Sequence, residues 1–412
     1  MIQKMIINKE KLGYILYSFA DSSFVTIIVT VLFSMYFKDI IVGEKEYGTA
    51  LWGRTISISM ILVAVLAPIM GAIADLSHSR KTMLIISAYT TILFTAFLFF
   101  TKKNDILLAM VLFIIANTAF NLATVFYNAF LPEIVKKDEL GRFSGISWGA
   151  GYLGGLTTLF IILPIISLDL ESDLNFRYSF IVVSLFFFIF SLPAFCWLKV
   201  RKKNIQRLNS YISIGFKRLI ETAKNIRKYK ELVKFLISFF IYNDGITVVI
   251  SFAAIYGSTQ FSMTAQEMII YFIIAQPSSF LGAIIFGYLV DIIGPKNSIS
   301  ISLIIWVLVI LGVYFCKSIN QFYIIGMCAG FALGSSQSTS RTMFAMLTPK
   351  EKTTEFFGFY GVAGRLASII GPLLYGEISR ITGNQQDAII SILGFFIVGY
   401  FLLHFVKESQ YA

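Results

Sequence analysis

A chain of 412 residues that is 57% hydrophobic and only 14% charged, with a mean hydropathy of +0.78, lies outside the range of water-soluble domains. Forty-one phenylalanines against eight prolines exceed what a soluble core could shelter from water. The net charge of +11 is spread over connections between apolar runs, which excludes a nucleic-acid partner and points to membrane topology.

Lys4, Lys9 and Lys11 precede a first apolar run of about 26 residues, too long for the core of a cleaved signal, so this run is expected to stay as the first span. The runs that follow predict an all-α polytopic membrane protein with twelve transmembrane helices. Their expected limits are 12–37, 49–74, 82–101, 106–131, 142–167, 178–198, 232–257, 266–290, 297–316, 321–346, 357–379 and 386–406. The runs are about as long as a bilayer crossing requires, and none alternates as a barrel strand would.

The only long basic and polar stretch, Lys199 to Lys234, divides these spans six and six. The expected organisation is a six-helix bundle over 1–198, a cytoplasmic basic linker over 199–231 and a second six-helix bundle over 232–412. Within the linker, Ile212, Phe216, Leu219 and Ile220 suit a helix lying on the inner leaflet, and a solvated linker accounts for them about as well. Arg80, Lys81, Lys136, Lys137, Arg142, Lys296, Lys350, Lys352 and Lys407 fall on the same side as the linker. The opposite side carries Lys38, Lys45, Lys102, Lys103, Arg177, Lys317 and Arg380 beside acids such as Asp169, Glu171 and Asp173. Both termini are therefore expected in the cytoplasm, in a bacterial-type plasma (inner) membrane.

The halves repeat. Gly71 and Gly287, Asp75 and Asp291, and Arg80 and Lys296 are each 216 residues apart, in loops after the second and eighth spans. The glycine is expected to allow close helix crossing. The acid suits the positive end of a neighbouring helix, and the base can close a salt bridge, making a gating clasp. Spans 5 and 11 are rich in glycine (Gly145, Gly149, Gly151, Gly154, Gly155; Gly361, Gly364, Gly371, Gly376), as close packing or sliding contact requires.

Polar residues inside the spans gather on the first helix of each three-helix unit. They are Asp21; Asn117, Asn121 and Asn128; Asn243 and Asp244; Gln337 and Arg341. Asp21 lies nine residues into its span, so ~14 Å deep at 1.5 Å per residue. An ionised group there costs ~2.5–3.5 kcal/mol or more unless it faces water or a partner. Spans 1, 4, 7 and 10 are therefore expected around a wet central chamber, with both acids facing it. Arg365 in span 11 could pair with Asp244 or line the vestibule, and Arg54 near the outer interface could snorkel. No catalytic constellation is visible, and no cofactor or metal is expected. His78 and His404 lack ligand-spaced neighbours, and Cys196, Cys316 and Cys328 read as packing residues. Without a phosphate-binding loop, transport would draw on a gradient.

The repeated loop resembles the signature of the major facilitator superfamily. More closely, the chain is similar to the bacterial "unknown major facilitator" family, related to the autophagy-linked vacuole effluxers of fungi. LYSFADSSF (16–24), FYNAFLPEI (126–134), SWGAGYLGG (147–155), FIYNDGI (240–246), GSSQSTSRTMFA (334–345), FFGFYGVAGR (356–365) and GPLLYG (371–376) carry the match across both halves. The resemblance implies alternating access about a central site, with export of amino acids in the fungal relatives. This chain departs from the pattern at Ser18, where an acid usually stands, at Asp21, where an amide does, and at His78 and Ser79 in the first loop.

Together these readings lead us to expect a non-enzymatic secondary transporter of small polar or zwitterionic solutes such as amino acids, proton-linked or facilitated, with efflux favoured. Its expected partners are the small-molecule substrate, protons and the lipid bilayer, with the protein a monomer. Asp21 and Asp244 would take a proton or the substrate's amino group. Arg341, with Arg365, would attract its carboxylate, and Asn121, Asn128, Asn243 and Gln337 would supply hydrogen bonds. Export of lipophilic cations or drugs is the first alternative, and a receptor or scaffold without flux the second.

Overall fold

The computed structural model describes residues 8–77, 79–135, 140–168, 173–199, 229–347, 360, 364 and 370–407. Most of the basic linker, Arg365 and the side chains of Asp75 and Asp291 lie outside the described set, so the linker helix and the loop salt bridges do too. Among the described residues there are twelve helical runs and no strand. They are α1 (Lys9–Val42), α2 (Lys45–Ser77), α3 (Arg80–Phe97), α4 (Ile106–Ile134), α5 (Leu140–Ile166), α6 (Leu174–Trp197), α7 (Lys230–Gln260), α8 (Ala265–Ile293), α9 (Pro295–Phe315), α10 (Ile319–Leu347), α11 (Ile370–Thr382) and α12 (Gln385–His404). Ten are long and apolar enough to cross a membrane. The other two are α10, whose second half carries Ser335, Ser336, Gln337, Ser338, Ser340 and Arg341, and α11, of which 13 residues are described.

Local chemistry sets the helix ends. Asn8 accepts from the Lys11 N–H at 2.9 Å to start α1, and Thr264 and Glu267 form a reciprocal capping box at the start of α8. Gly43, at φ +75°, ends α1 in the left-handed region open to glycine. Helix α1 runs beyond the expected limit of residue 37. Its stretches Phe24–Val31 and Phe37–Val42 have the wider π-helical hydrogen bonding, and the helix continues through Lys38 and Asp39. Lys38, expected in a loop, is therefore inside a helix and fully buried.

In the first half α1 packs on α5 and α6, α2 on α4, and α3 on α4 and α6. In the second, α7 packs on α11 and α12, α8 on α10, and α9 on α10 and α12. The halves meet chiefly through the pairs α1–α7, α2–α11 and α5–α8. Helices α3, α6, α9 and α12 turn Ile86, Leu185, Leu308 and Phe401 outward, the surface a lipid solvent favours.

Glycine permits the closest of these contacts. A Cβ at Gly154 would collide with the Phe19 carbonyl of α1, and one at Gly53 with the Pro372 carbonyl of α11 across the interface between halves. The loop glycines behave otherwise. A Cβ at Gly71 or Gly287 meets no described atom within 4 Å. Among the described residues, Lys296 donates to the carbonyls of His404 (2.7 Å) and Val406 (2.8 Å), and Arg80 to that of Ala129 (3.2 Å).

Gly154→Leu must push backbone against backbone and is expected to cost ~1–3 kcal/mol. It should lower the melting temperature of detergent-purified protein, whereas Gly287→Ala should leave it unchanged or slightly raised.

Candidate functional site

Helix pairing leaves a chamber of about 410 Å³ between the halves, bounded by α1, α4 and α5 on one side and by α7, α8, α9 and α10 on the other. Tyr14, Ser18, Asp21, Ser22 and Val25 follow one another at helical spacing along α1, which places them on one chamber-facing stripe. Asp21, Asn121, Asn128, Asn243, Gln337 and Arg341 all line this chamber. Six of the nine expected binding residues thus come together, drawn from both halves.

Asp21 is 9% exposed, and its carboxylate makes no hydrogen bond or ion pair with any described residue. Since it lines the chamber, the chamber is where its charge must be solvated or matched. The guanidinium of Arg341 lies 5.0 Å from the centre of the Trp148 ring, a cation–π contact between halves. Tyr14 lies within electrostatic range of both Arg341 and Asp21. Across from α1, Gln337 donates to the Asn243 side-chain oxygen at 3.3 Å, and Asn243 donates to the Gly364 carbonyl at 3.2 Å. Asn121 donates to the Asn117 carbonyl at 2.7 Å, which holds it on the chamber wall.

Asn117 and Asp244 are not part of this wall, and Arg365 lies outside the described residues. The Asn117 amide donates to the Ser59 hydroxyl at 2.8 Å, a buried bond between α4 and α2. Asp244 is 1% exposed, and both of its oxygens accept from the Gly371 N–H at 2.9 Å. Its side chain leaves α7 toward α11, one residue around the helix from Asn243, so the expectation that both acids face one chamber holds for Asp21 alone. The Gly371 N–H of α11 is the partner Asp244 has among the described residues, and Arg365 lies outside them.

Sequence reasoning overlooked Tyr127, Trp148, Tyr152, Thr247 and Gln276, which also line the chamber. Gln276 carried a usable signal, an amide in the middle of an apolar span. It donates to the Thr26 hydroxyl at 3.3 Å, bridging α8 to the π-helical stretch of α1.

The end of the chamber away from the termini is closed by polar contacts between halves. Lys38 of α1 donates to Ser258 (2.6 Å) and Thr259 (2.8 Å) of α7, and pairs with Asp39 at 2.9 Å. Gln385 of α12 donates to Thr49 and Thr259, each at 3.2 Å. Arg54 of α2, expected to snorkel, instead meets Glu377 of α11 at 2.5 Å, and Trp52 donates to the Ser251 carbonyl at 2.9 Å.

Two bundles around a central chamber define a transporter of the major facilitator type, and the solved structures that share this fold agree. Over 98% of both chains the fold matches a D-xylose–proton symporter with a TM-score of 0.73 at 15% identity. It matches the nucleoside transporter NupG, solved as a point mutant, with a TM-score of 0.70 at 13% identity, over 96% of this chain and 99% of that one. The family model for "Vacuole effluxer Atg22 like" matches residues 48–411, and the chain belongs to this family. It is 30% identical to the uncharacterized MFS-type transporter YxiO of Bacillus subtilis (strain 168), over 98% of this chain and 96% of the relative. It is 26% identical to autophagy-related protein 22 of Yarrowia lipolytica, over 87% of this chain and 76% of the relative. The protein is thus a multi-pass membrane transporter and not an enzyme.

The two acids differ in what they hold, so their substitutions should separate. Asp244→Ala strands the buried Gly371 N–H and removes a charge-assisted bond, at an expected cost of ~1.5–3 kcal/mol in thermal melts. Asp21→Asn breaks no bond among the described residues and should leave the melting temperature unchanged or raise it.

Proposed function

We propose that the protein works by alternating access, with the bundles 1–198 and 232–412 moving as units. It would export small zwitterionic solutes such as amino acids across the plasma membrane, with both termini cytoplasmic. The observation that carries this reading is a single chamber holding an unpaired carboxylate from the first half, Asp21, and an arginine from the second, Arg341. An amino group or a proton goes to Asp21, the substrate carboxylate goes to Arg341, and Asn128, Asn243 and Gln337 orient the rest. Binding a zwitterion between groups on opposite halves rewards closure of the chamber around it, which couples binding to movement. The description of the matched family as vacuole-effluxer-like supports movement of a solute across a membrane. The basic connections on the side of the termini support the orientation.

The aromatic lining, with Tyr14, Phe120, Trp148, Tyr152, Phe272 and Trp306 in the same chamber as Asp21, favours a second reading as an exporter of lipophilic cations. Arg341 discriminates, since a cation gains nothing from it.

In proteoliposomes, counterflow of labelled amino acids should fall roughly 10- to 100-fold in Asp21→Asn and Arg341→Gln, the loss of one charged hydrogen bond each. Asn117→Ala should stay close to wild type. Unchanged counterflow in both charge variants would remove the reading. Faster movement of a lipophilic cation in Arg341→Gln would replace it with the second.

The closure at the far end supplies a separate check. Lys38→Met removes its buried hydrogen bonds and should raise the labelling of a cysteine introduced at Thr30, from the side away from the termini. The expected gain is roughly tenfold, for ~1.4 kcal/mol of lost closure.

A further inference from the structure

On the side of the termini, away from the chamber, the starts of α7 and α9 and the end of α12 enclose a second recess, of about 670 Å³. Three ammonium-bearing side chains line it: Lys234, Lys296 and Lys407. Two are fixed by the end of α12. Lys296 donates to the carbonyls of His404 and Val406, and Lys234 to that of Phe405 at 3.2 Å. These carbonyls are the negative end of a helix, so they hold the lysines in place without neutralising them.

The carboxylate seen to engage this cluster is Glu231, 6% exposed, which takes Lys234 at 2.8 Å and the backbone N–H of Lys407 at 2.6 Å. Among the described residues, Lys234 and the backbone of Lys407 share that one carboxylate, so the ammonium groups lining the recess outnumber its carboxylates. Lys234 and Lys296 are held in place, so little ordering of these two side chains remains to be done on binding. The floor and rim are apolar. Ile237 is 50% exposed and Phe405 67%, and Leu402 lines the recess with them. A soluble anion would use the lysines and gain nothing from these side chains. An amphiphile uses both.

We propose that this recess is a binding site for one anionic phospholipid, its phosphate held by Lys234, Lys296 and Lys407 and its acyl chains laid over Ile237 and Phe405. The site joins α7, α9 and α12, three helices of one half, so an occupant would brace that half without touching the chamber.

Native mass spectrometry of the full-length protein, released from detergent carrying phosphatidylglycerol or phosphatidylcholine, tests this. Wild type should retain phosphatidylglycerol in preference to phosphatidylcholine. Each lysine near the phosphate contributes roughly a fivefold effect, so Lys407→Gln should reduce retention about that much and Lys407→Arg should restore it. Lys407 is the deciding position because its side chain caps no helix, whereas Lys234→Gln and Lys296→Gln also loosen the end of α12. Equal retention of both lipids, or unchanged retention in Lys407→Gln, would overturn the proposal. So would displacement of the lipid by soluble glycerol 3-phosphate at equal concentration, which would assign the lysines to a free phosphate.

Discussion

Hydrocarbon offers a polar group no partner, and the architecture of this protein follows from where each polar side chain finds one. Lys38 is the clearest instance. A lysine with no exposed surface near the end of α1 is tolerable because groups such as Ser258 and Thr259 of α7 and the neighbouring Asp39 satisfy its ammonium. The two hydroxyls belong to the other half of the molecule, so satisfying the charge draws the halves together. Gln385 and the Arg54–Glu377 pair reinforce the same end, and the chamber lies beyond it, toward the termini.

The same accounting separates the two intramembrane acids. Asp244 has a partner in the Gly371 N–H and belongs to the seam between α7 and α11. Asp21 has none among the described residues, and its freedom marks the chamber as a place where a ligand or water must complete the bonding. Shortly after Asp21, α1 changes to π-helical hydrogen bonding, where Thr26 reaches Gln276 of the opposite half. Altered helical pitch beside an unpaired charge is a recurrent association at functional sites. Here it lets one helix present both a binding group and a contact between halves.

The likeness to the nucleoside transporter and the xylose symporter, at 13% and 15% identity, is one of fold. A shared fold leaves chemistry to the side chains that line the chamber. In this chain those include an acid, an arginine stacked on tryptophan, paired amides and several phenols, contributed by six helices.

Much of the fold was legible in the chain because hydropathy and span length are local properties that a bilayer reads directly. The apolar runs were enough for the helix order, and the polar residues of α1, α4, α7 and α10 were enough for Asp21, Asn121, Asn128, Asn243, Gln337 and Arg341. What stayed hidden depends on rotation about a helix axis and on distant partners. Asn243 and Asp244 are adjacent in sequence, yet one faces the chamber and the other the backbone of α11, and only packed neighbours decide which. Lys38 reads as a loop residue until hydroxyls from a helix 220 residues away enclose it. The order of residues was sufficient to establish a chain that crosses a membrane in two matched sets of helices. Which charge is paired, which is free and which end of the chamber is shut emerged only on folding, because each of those outcomes is a contact between side chains that the linear chain keeps far apart.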